Sequence, residues 1–337
     1  MRNFLIYTSA LLLLLGFAAG CRKTKKAIAK PQAAVQLAPA NNSQTTGKTD
    51  SNITQQSNTP PINKTEPNLI GNTNQQQQLP SLTTLNKDYA ELLSANVNSR
   101  GMVNYKALKR KRIDLYNLLD ELKQFDPNEY KAMPAEQQIA FWINAYNIKM
   151  LSIITENYPI ESNRILRMLW PPDSVRHIDQ KIGGIEKQKF IVMNEEFTLA
   201  ELEQKIFYQR CNEPRAFFAL THASLSSPLL RTEPYTGSRL NELLDDQIKK
   251  YLSADSNFQI DKSNKIVYLP AMLQDSWYGK YFTEKYGTDK KFKDQTPETA
   301  ATLNFVIKYL SPDDASFLEL QNYDVSYINY NWLINDQ

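Results

Sequence analysis

The sequence predicts an α+β fold, and three observations carry that reading. Apolar residues recur at helical spacing through most of residues 83–337. Short β-branched and aromatic runs appear late in the chain. Only ten glycines occur in 337 residues, which suits a helix-rich body. The expectation is a helix-rich single domain over 83–337 with a small, mostly antiparallel sheet.

Leu85–Leu93 opens that domain as a helix. Arg112–Phe125 sets Ile113, Leu115, Leu118, Leu119 and Leu122 at helical intervals. Pro134–Tyr158 gives the strongest helical pattern. Ile139, Trp142, Ile143, Tyr146, Met150, Ile153 and Ile154 form a stripe wide enough to lie at the centre of the domain. Thr198-Leu199-Ala200-Glu201 is a capping box ahead of another apolar helix. Ala216–Leu220 reads as a short buried strand. Leu240–Leu252 is helical. Phe258–Ile260 and Lys265–Leu269 pair as a hairpin around Lys262-Ser263-Asn264. Thr296-Pro297-Glu298 places a cap residue and then proline at the first position of a helix to Leu310. Tyr323–Trp332 is aromatic and β-branched enough for a final strand.

The N-terminus reads differently. Met1-Arg2-Asn3 is a short basic start, Phe4–Phe17 is apolar, and Ala18-Ala19-Gly20-Cys21 follows. Small residues before a cysteine are the pattern of a lipoprotein signal peptide over 1–20, with the Cys21 thiol as lipid acceptor. The apolar stretch is short of the roughly 20 residues that span a bilayer. Residues 21–82 are rich in Asn, Gln, Thr, Pro and Ser and hold no period, so they are expected to be a disordered tether. As a coil its mean reach is roughly 40 Å. Arg22, Lys23, Lys25, Lys26 and Lys30 crowd the anchor. They either contact anionic headgroups, at about 1 kcal/mol each, or only solvate the tail. The expected location is the bacterial cell envelope, outside the cytoplasm. The partners expected are the membrane, through Cys21, and an envelope protein or glycan.

Composition excludes several function classes. With 39 Lys plus Arg against 36 Asp plus Glu the net charge is +3, too balanced for a nucleic-acid binder. Two cysteines and two histidines leave no disulfide framework and no ordinary metal site. If Cys21 carries lipid, Cys211 is the remaining thiol, and a buried apolar role suits it best. No phosphate loop, zinc motif or nucleophile elbow is present, and no cofactor is expected.

Four polar clusters sit in apolar surroundings. Asn144 and Asn147 share a helix face; they hold a loop or ligand, or satisfy backbone groups in the core. Glu201 is explained by the capping box. Glu203 lies about 200° further round the helix, as a surface charge, an ion-pair partner or a site carboxylate. His222 follows the expected strand among Thr221, Ser224, Ser226 and Ser227. It is either a general base for a serine or a structural histidine. Asn329-Tyr330-Asn331-Trp332 and Trp277-Tyr278 are either a carbohydrate platform or core.

The order of these clusters resembles the domain of unknown function 547 family over roughly 85–335. Phe141-Trp142-Ile143-Asn144-Ala145-Tyr146-Asn147 and Ser224-Leu225-Ser226-Ser227-Pro228 are its most specific parts. Gly183-Gly184, Leu230-Arg231 and Tyr330-Asn331-Trp332 add to it. The resemblance implies cysteine at the positions of His222 and Ser227. It also implies Glu-His at Glu203-Gln204 and Tyr-Asp-Trp at 330–332. A Cys, His and Asp set suggests a distant papain- or transglutaminase-like kinship, and here all three are replaced. The candidate site is therefore Asn144, Asn147, Glu203, His222, Ser224, Ser227, Arg231 and Asn331. The expected function is a non-catalytic or diverged ligand- or partner-binding domain. The alternative is an amide or ester hydrolase or transferase using Glu203, His222 and a nearby serine. A purely structural outer-membrane component is a third reading.

Overall fold

Helices form at the stretches where the apolar spacing was read, together with shorter ones it did not mark, and six of the described α-helices begin on a side-chain cap. The computed structural model describes residues 79–287 and 291–337. The segment expected to be a signal peptide, Cys21 and nearly all of the expected tether lie outside these. Helix α1 (Leu82–Asn96) starts on Ser81, whose hydroxyl accepts from the Thr84 amide. Helices α2 (Tyr105–Arg110), α3 (Arg112–Gln124) and α4 (Pro127–Ala132) follow. They pack beside α5 (Ala135–Glu156), which is buried continuously from Ala140 to Ile148 and nearly so to Thr155. A helix apolar on all sides has to lie inside, and α5 is the axis of the domain.

After α6 (Arg176–Ile182) the chain forms a hairpin of β1 (Lys189–Val192) and β2 (Glu195–Thr198). Its two-residue turn holds Met193 and Asn194 at positive φ, the twist that suits tight hairpins. Thr198 then forms the expected capping box with Glu201 at the start of α7 (Leu199–Glu201). The chain continues from α7 as a π-helix over Leu202–Cys211.

Two expectations about strands are corrected. Ala216–Leu220 is not a strand; Pro214–Ala219 is a 3₁₀-helix, with Pro214 in its first turn and Glu213 accepting from the Arg215 amide. Its residues from Ala216 to Ala219 are all buried, and a short apolar run buried on every side carries no period to read. The final strand is also shorter than expected. Helix α8 (Leu240–Leu252) leads to β3 (Gln259–Asp261) and β4 (Ile266–Leu269), the predicted antiparallel hairpin. Helices α9 (Lys280–Tyr286), α10 (Pro297–Val306) and α11 (Pro312–Glu319) then return the chain to β5 (Asp324–Tyr327). Strand β5 lies parallel to β4, so the three-stranded sheet is mixed.

Residues 330–337 leave the sheet and stitch distant segments together. The Trp332 carbonyl accepts from the Val175 amide, and the Leu333 carbonyl from Leu225. The Asn335 carbonyl accepts from Val103, and its amide donates to Ala223. This tail brings Tyr330 and Trp332 beside the loop that carries His222.

Candidate functional site

Asn144 and Asn147 build the frame of the site. The Asn147 amide donates to the Ala219 carbonyl at 2.9 Å and accepts from the Thr221 N–H at 2.9 Å. Asn144 does the same for Tyr235, donating to its carbonyl at 2.9 Å and accepting from its N–H at 3.0 Å. Each side chain imitates a strand partner for a loop with no strand of its own. Both asparagines are therefore loop holders, and Asn147 fixes the residue just before His222.

Two π-helices supply Glu203 and two aromatic residues of the site. The first, Leu202–Cys211, presents Glu203. The second, Asp275–Gly279, presents Trp277 and Tyr278. Such wide turns recur at functional sites because they re-aim side chains that a regular helix would point elsewhere. Glu203 Oε1 accepts from the Tyr146 hydroxyl at 2.8 Å and lies 3.8 Å from His222 Nε2. His222 Nε2 meets the Tyr278 hydroxyl at 3.0 Å. The two side chains remain slightly open, with 12% exposure at His222 and 16% at Glu203. His222 Nδ1 is buried without a hydrogen-bond partner. Burial and then the Glu203 charge raise both Tyr146 and Tyr278 well above the ordinary phenol range. Both phenols stay protonated, and Tyr146 serves Glu203 as a donor.

Aromatic rings surround this pair. Trp277 stands edge-on to His222 with ring centroids 5.2 Å apart, and Trp277 and Trp332 stack at 5.8 Å. Tyr330 lies 5.0 Å from Trp277 and 4.4 Å from Trp332. Trp277, Tyr330 and Trp332 are half-buried. These rings are a partly open wall, where the sequence left platform and core as alternatives.

The serines are not turned toward the imidazole. Ser227 Oγ accepts from the His222 amide at 2.7 Å and donates to the Pro228 carbonyl at 3.0 Å. Ser224 Oγ donates to the Tyr330 hydroxyl at 2.8 Å. Ser226 Oγ accepts from the Asn331 amide at 3.0 Å. All three residues are buried. Of the two readings left open for His222, the one as a general base for a serine gains nothing from these hydrogen bonds: the loop uses its hydroxyls to satisfy itself, and the side chain beside the imidazole is Glu203. Ala223 in this loop adopts a left-handed φ of 56°, a conformation that β-carbon residues seldom take.

Asn331 and Arg231 also stand apart from the pair. Asn331 is exposed, and its side-chain oxygen accepts from the Leu333 amide at 3.1 Å, closing its own turn. Arg231 makes ion pairs with Asp246 at 2.5 Å and Glu233 at 3.0 Å. It lines a separate small cavity with Gly101, Leu229, Gln247 and Lys250. Cys211 is half-buried at the end of the first π-helix, and burial raises its thiol above the ordinary range. Sequence reasoning missed Tyr146 as a site member and left Tyr278 between platform and core. Tyr146 read as core, and the one available signal for it was its position between two buried amides.

Among the described residues, no group of three or more His, Cys, Asp or Glu side chains is gathered to hold a metal. The arrangement offers a carboxylate acceptor, an imidazole and an aromatic wall. No curated protein and no solved structure matched the chain. Residues 130–252 match the model of the family described as protein of unknown function, DUF547, a span that holds Asn144, Asn147, Glu203 and His222.

Proposed function

We propose that this chain is a cell-envelope lipoprotein, anchored by lipid on Cys21, whose folded domain binds an envelope glycan at Glu203 and His222. The observation that carries the reading is the placement of those two polar groups, 3.8 Å apart, against the half-buried rings of Trp277, Tyr330 and Trp332. A sugar ring has apolar C–H faces and hydroxyl edges. Aromatic walls meet the first, while a carboxylate and an imidazole meet the second. The N-terminal sequence supports the address, and the tether gives the domain its reach.

The test is a titration of tryptophan emission with soluble peptidoglycan fragments. Saturable change in the full chain, weakened at least about tenfold by Trp277→Ala, is the expected result. Identical titrations for both proteins would remove the site from the proposal. Metabolic labelling with palmitate, lost in Cys21→Ser, checks the anchor separately.

The Glu203–His222 contact favours a second reading, acid–base chemistry on an amide or ester without a serine nucleophile. Since Ser224, Ser226 and Ser227 are all held in hydrogen bonds, fluorophosphonate probes should leave the protein unlabelled. Labelling at any of the three would restore the serine mechanism.

A further inference from the structure

The segment Asn163–Trp170 raises its apolar side chains into solvent. Ile165 is 72% exposed, Met168 85% and Leu169 55%, all on or beside one 3₁₀ turn over Leu166–Met168. Exposed apolar residues gathered this closely mark an interaction surface. Arg164 and Arg167 are interleaved with them and are also exposed. The nearby acid Glu161 is paired with Lys181 at 2.9 Å, which leaves Asp173 as the other acid of the stretch.

The base of the segment is fixed. His177 Nε2 meets the Pro171 carbonyl at 2.8 Å, and the Val175 amide donates to the Trp332 carbonyl at 2.9 Å. Trp170 closes the segment and stays half-buried against His177, with ring centroids 5.8 Å apart. The apolar tip therefore stands on a rigid footing, and little ordering is needed for it to bind.

We infer that Asn163–Trp170 docks on an anionic lipid surface, as a second membrane contact made by the folded domain itself. Arginines flanking a short apolar tip, with a tryptophan at its edge, match the headgroup and acyl layers of such a surface. The inference rests on the membrane-anchored reading of the N-terminus, since a tethered domain meets a bilayer at high local concentration. It has a consequence for the site. The Arg176 guanidinium lies 5.7 Å over Trp170 and 4.7 Å over Trp332, which stacks on Trp277 beside His222. Docking brings the aromatic wall close to the lipid, where membrane-borne ligands are displayed.

The experiment is vesicle co-sedimentation of the full chain carrying Cys21→Ser. Vesicles of phosphatidylglycerol and phosphatidylethanolamine are compared with vesicles of phosphatidylcholine alone. The same background with Met168→Asp and Leu169→Asp is expected to bind anionic vesicles at least about tenfold more weakly, because two apolar side chains no longer enter the lipid. Arg164→Gln with Arg167→Gln should weaken binding to the anionic vesicles and leave the neutral ones unchanged. Both positions of the aspartate pair are exposed, so an unchanged melting temperature is the folding control. Equal binding by the parent and the aspartate variant overturns the inference. So does self-association in solution that the aspartate variant abolishes while vesicle binding persists. Palmitate labelling of the wild type reads the anchor independently, so loss of that reading is distinguishable from loss of the docking segment.

Discussion

Asn147 bridges the Ala219 carbonyl and the Thr221 amide, so one side chain satisfies two backbone groups in a buried loop. Replacing it with alanine removes both hydrogen bonds and orphans their partners. Asn147→Ala is expected to cost about 2–4 kcal/mol, measured by chemical denaturation. An effect below about 0.5 kcal/mol would mean the loop stands by itself. The sequence made Asn144 and Asn147 visible as two amides on one apolar helix face. It hid their backbone partners, which lie more than 70 positions away. The serines stayed between two readings for a related reason. Hydroxyls near a histidine look like nucleophiles in sequence, yet here Ser227 holds the His222 backbone rather than its ring. Side-chain direction within a loop is set by local closure, and no spacing rule reports it.

At the scale of elements, caps were legible because their chemistry is local. Thr198 with Glu201, and Thr296 with Pro297, both start helices where the sequence placed them. The π-helices were not legible, since a wider turn leaves no compositional mark over ten residues. The packing of α1 on α3 yields a pH prediction. Burial first, and then the Asp88 carboxylate, push the Glu121 carboxyl from 4.5 up to about 7, and its Oε2 lacks a partner. The folded state thus holds this proton more tightly than the unfolded chain. That contribution to stability is complete below about pH 4.5 and is lost as the pH rises through about 7. Glu121→Gln should flatten this fall and be the more stable protein at about pH 8. Parallel pH profiles of the unfolding midpoint for the two proteins would contradict the assignment.

At the scale of the whole molecule, the central place of α5 followed from periodicity, and the α+β class from periodicity together with the late β-branched and aromatic runs and the few glycines. The C-terminal tail did not. Tyr323–Trp332 looked like one strand, yet only Asp324–Tyr327 pairs in the sheet, and residues beyond it clasp segments near 103, 174 and 224. Such a clasp is made of single long-range bridges, which carry no sequence period. Asn335 is its buried end, accepting from the Tyr105 hydroxyl at 2.8 Å and donating to the Gly101 carbonyl at 3.3 Å. Asn335→Ala is expected to cost about 2–3 kcal/mol. Because the clasp also positions Tyr330 and Trp332, it should weaken glycan binding as well, although Asn335 reaches the site loop only through the backbone of Ala223. A variant that loses stability with its glycan affinity intact would separate the tail from the site.

On the proposed reading, Glu203 and His222 form a binding pair beside serines that hold the loop. Glu203→Gln tests it most directly, because the amide keeps the shape and can still accept from Tyr146 while losing the charge. The measurement is the affinity for soluble peptidoglycan fragments beside the unfolding midpoint of the same protein. At least about a tenfold loss of affinity is expected, with the midpoint unchanged or raised. Unchanged affinity with a lowered midpoint would contradict that reading and make Glu203 a structural residue.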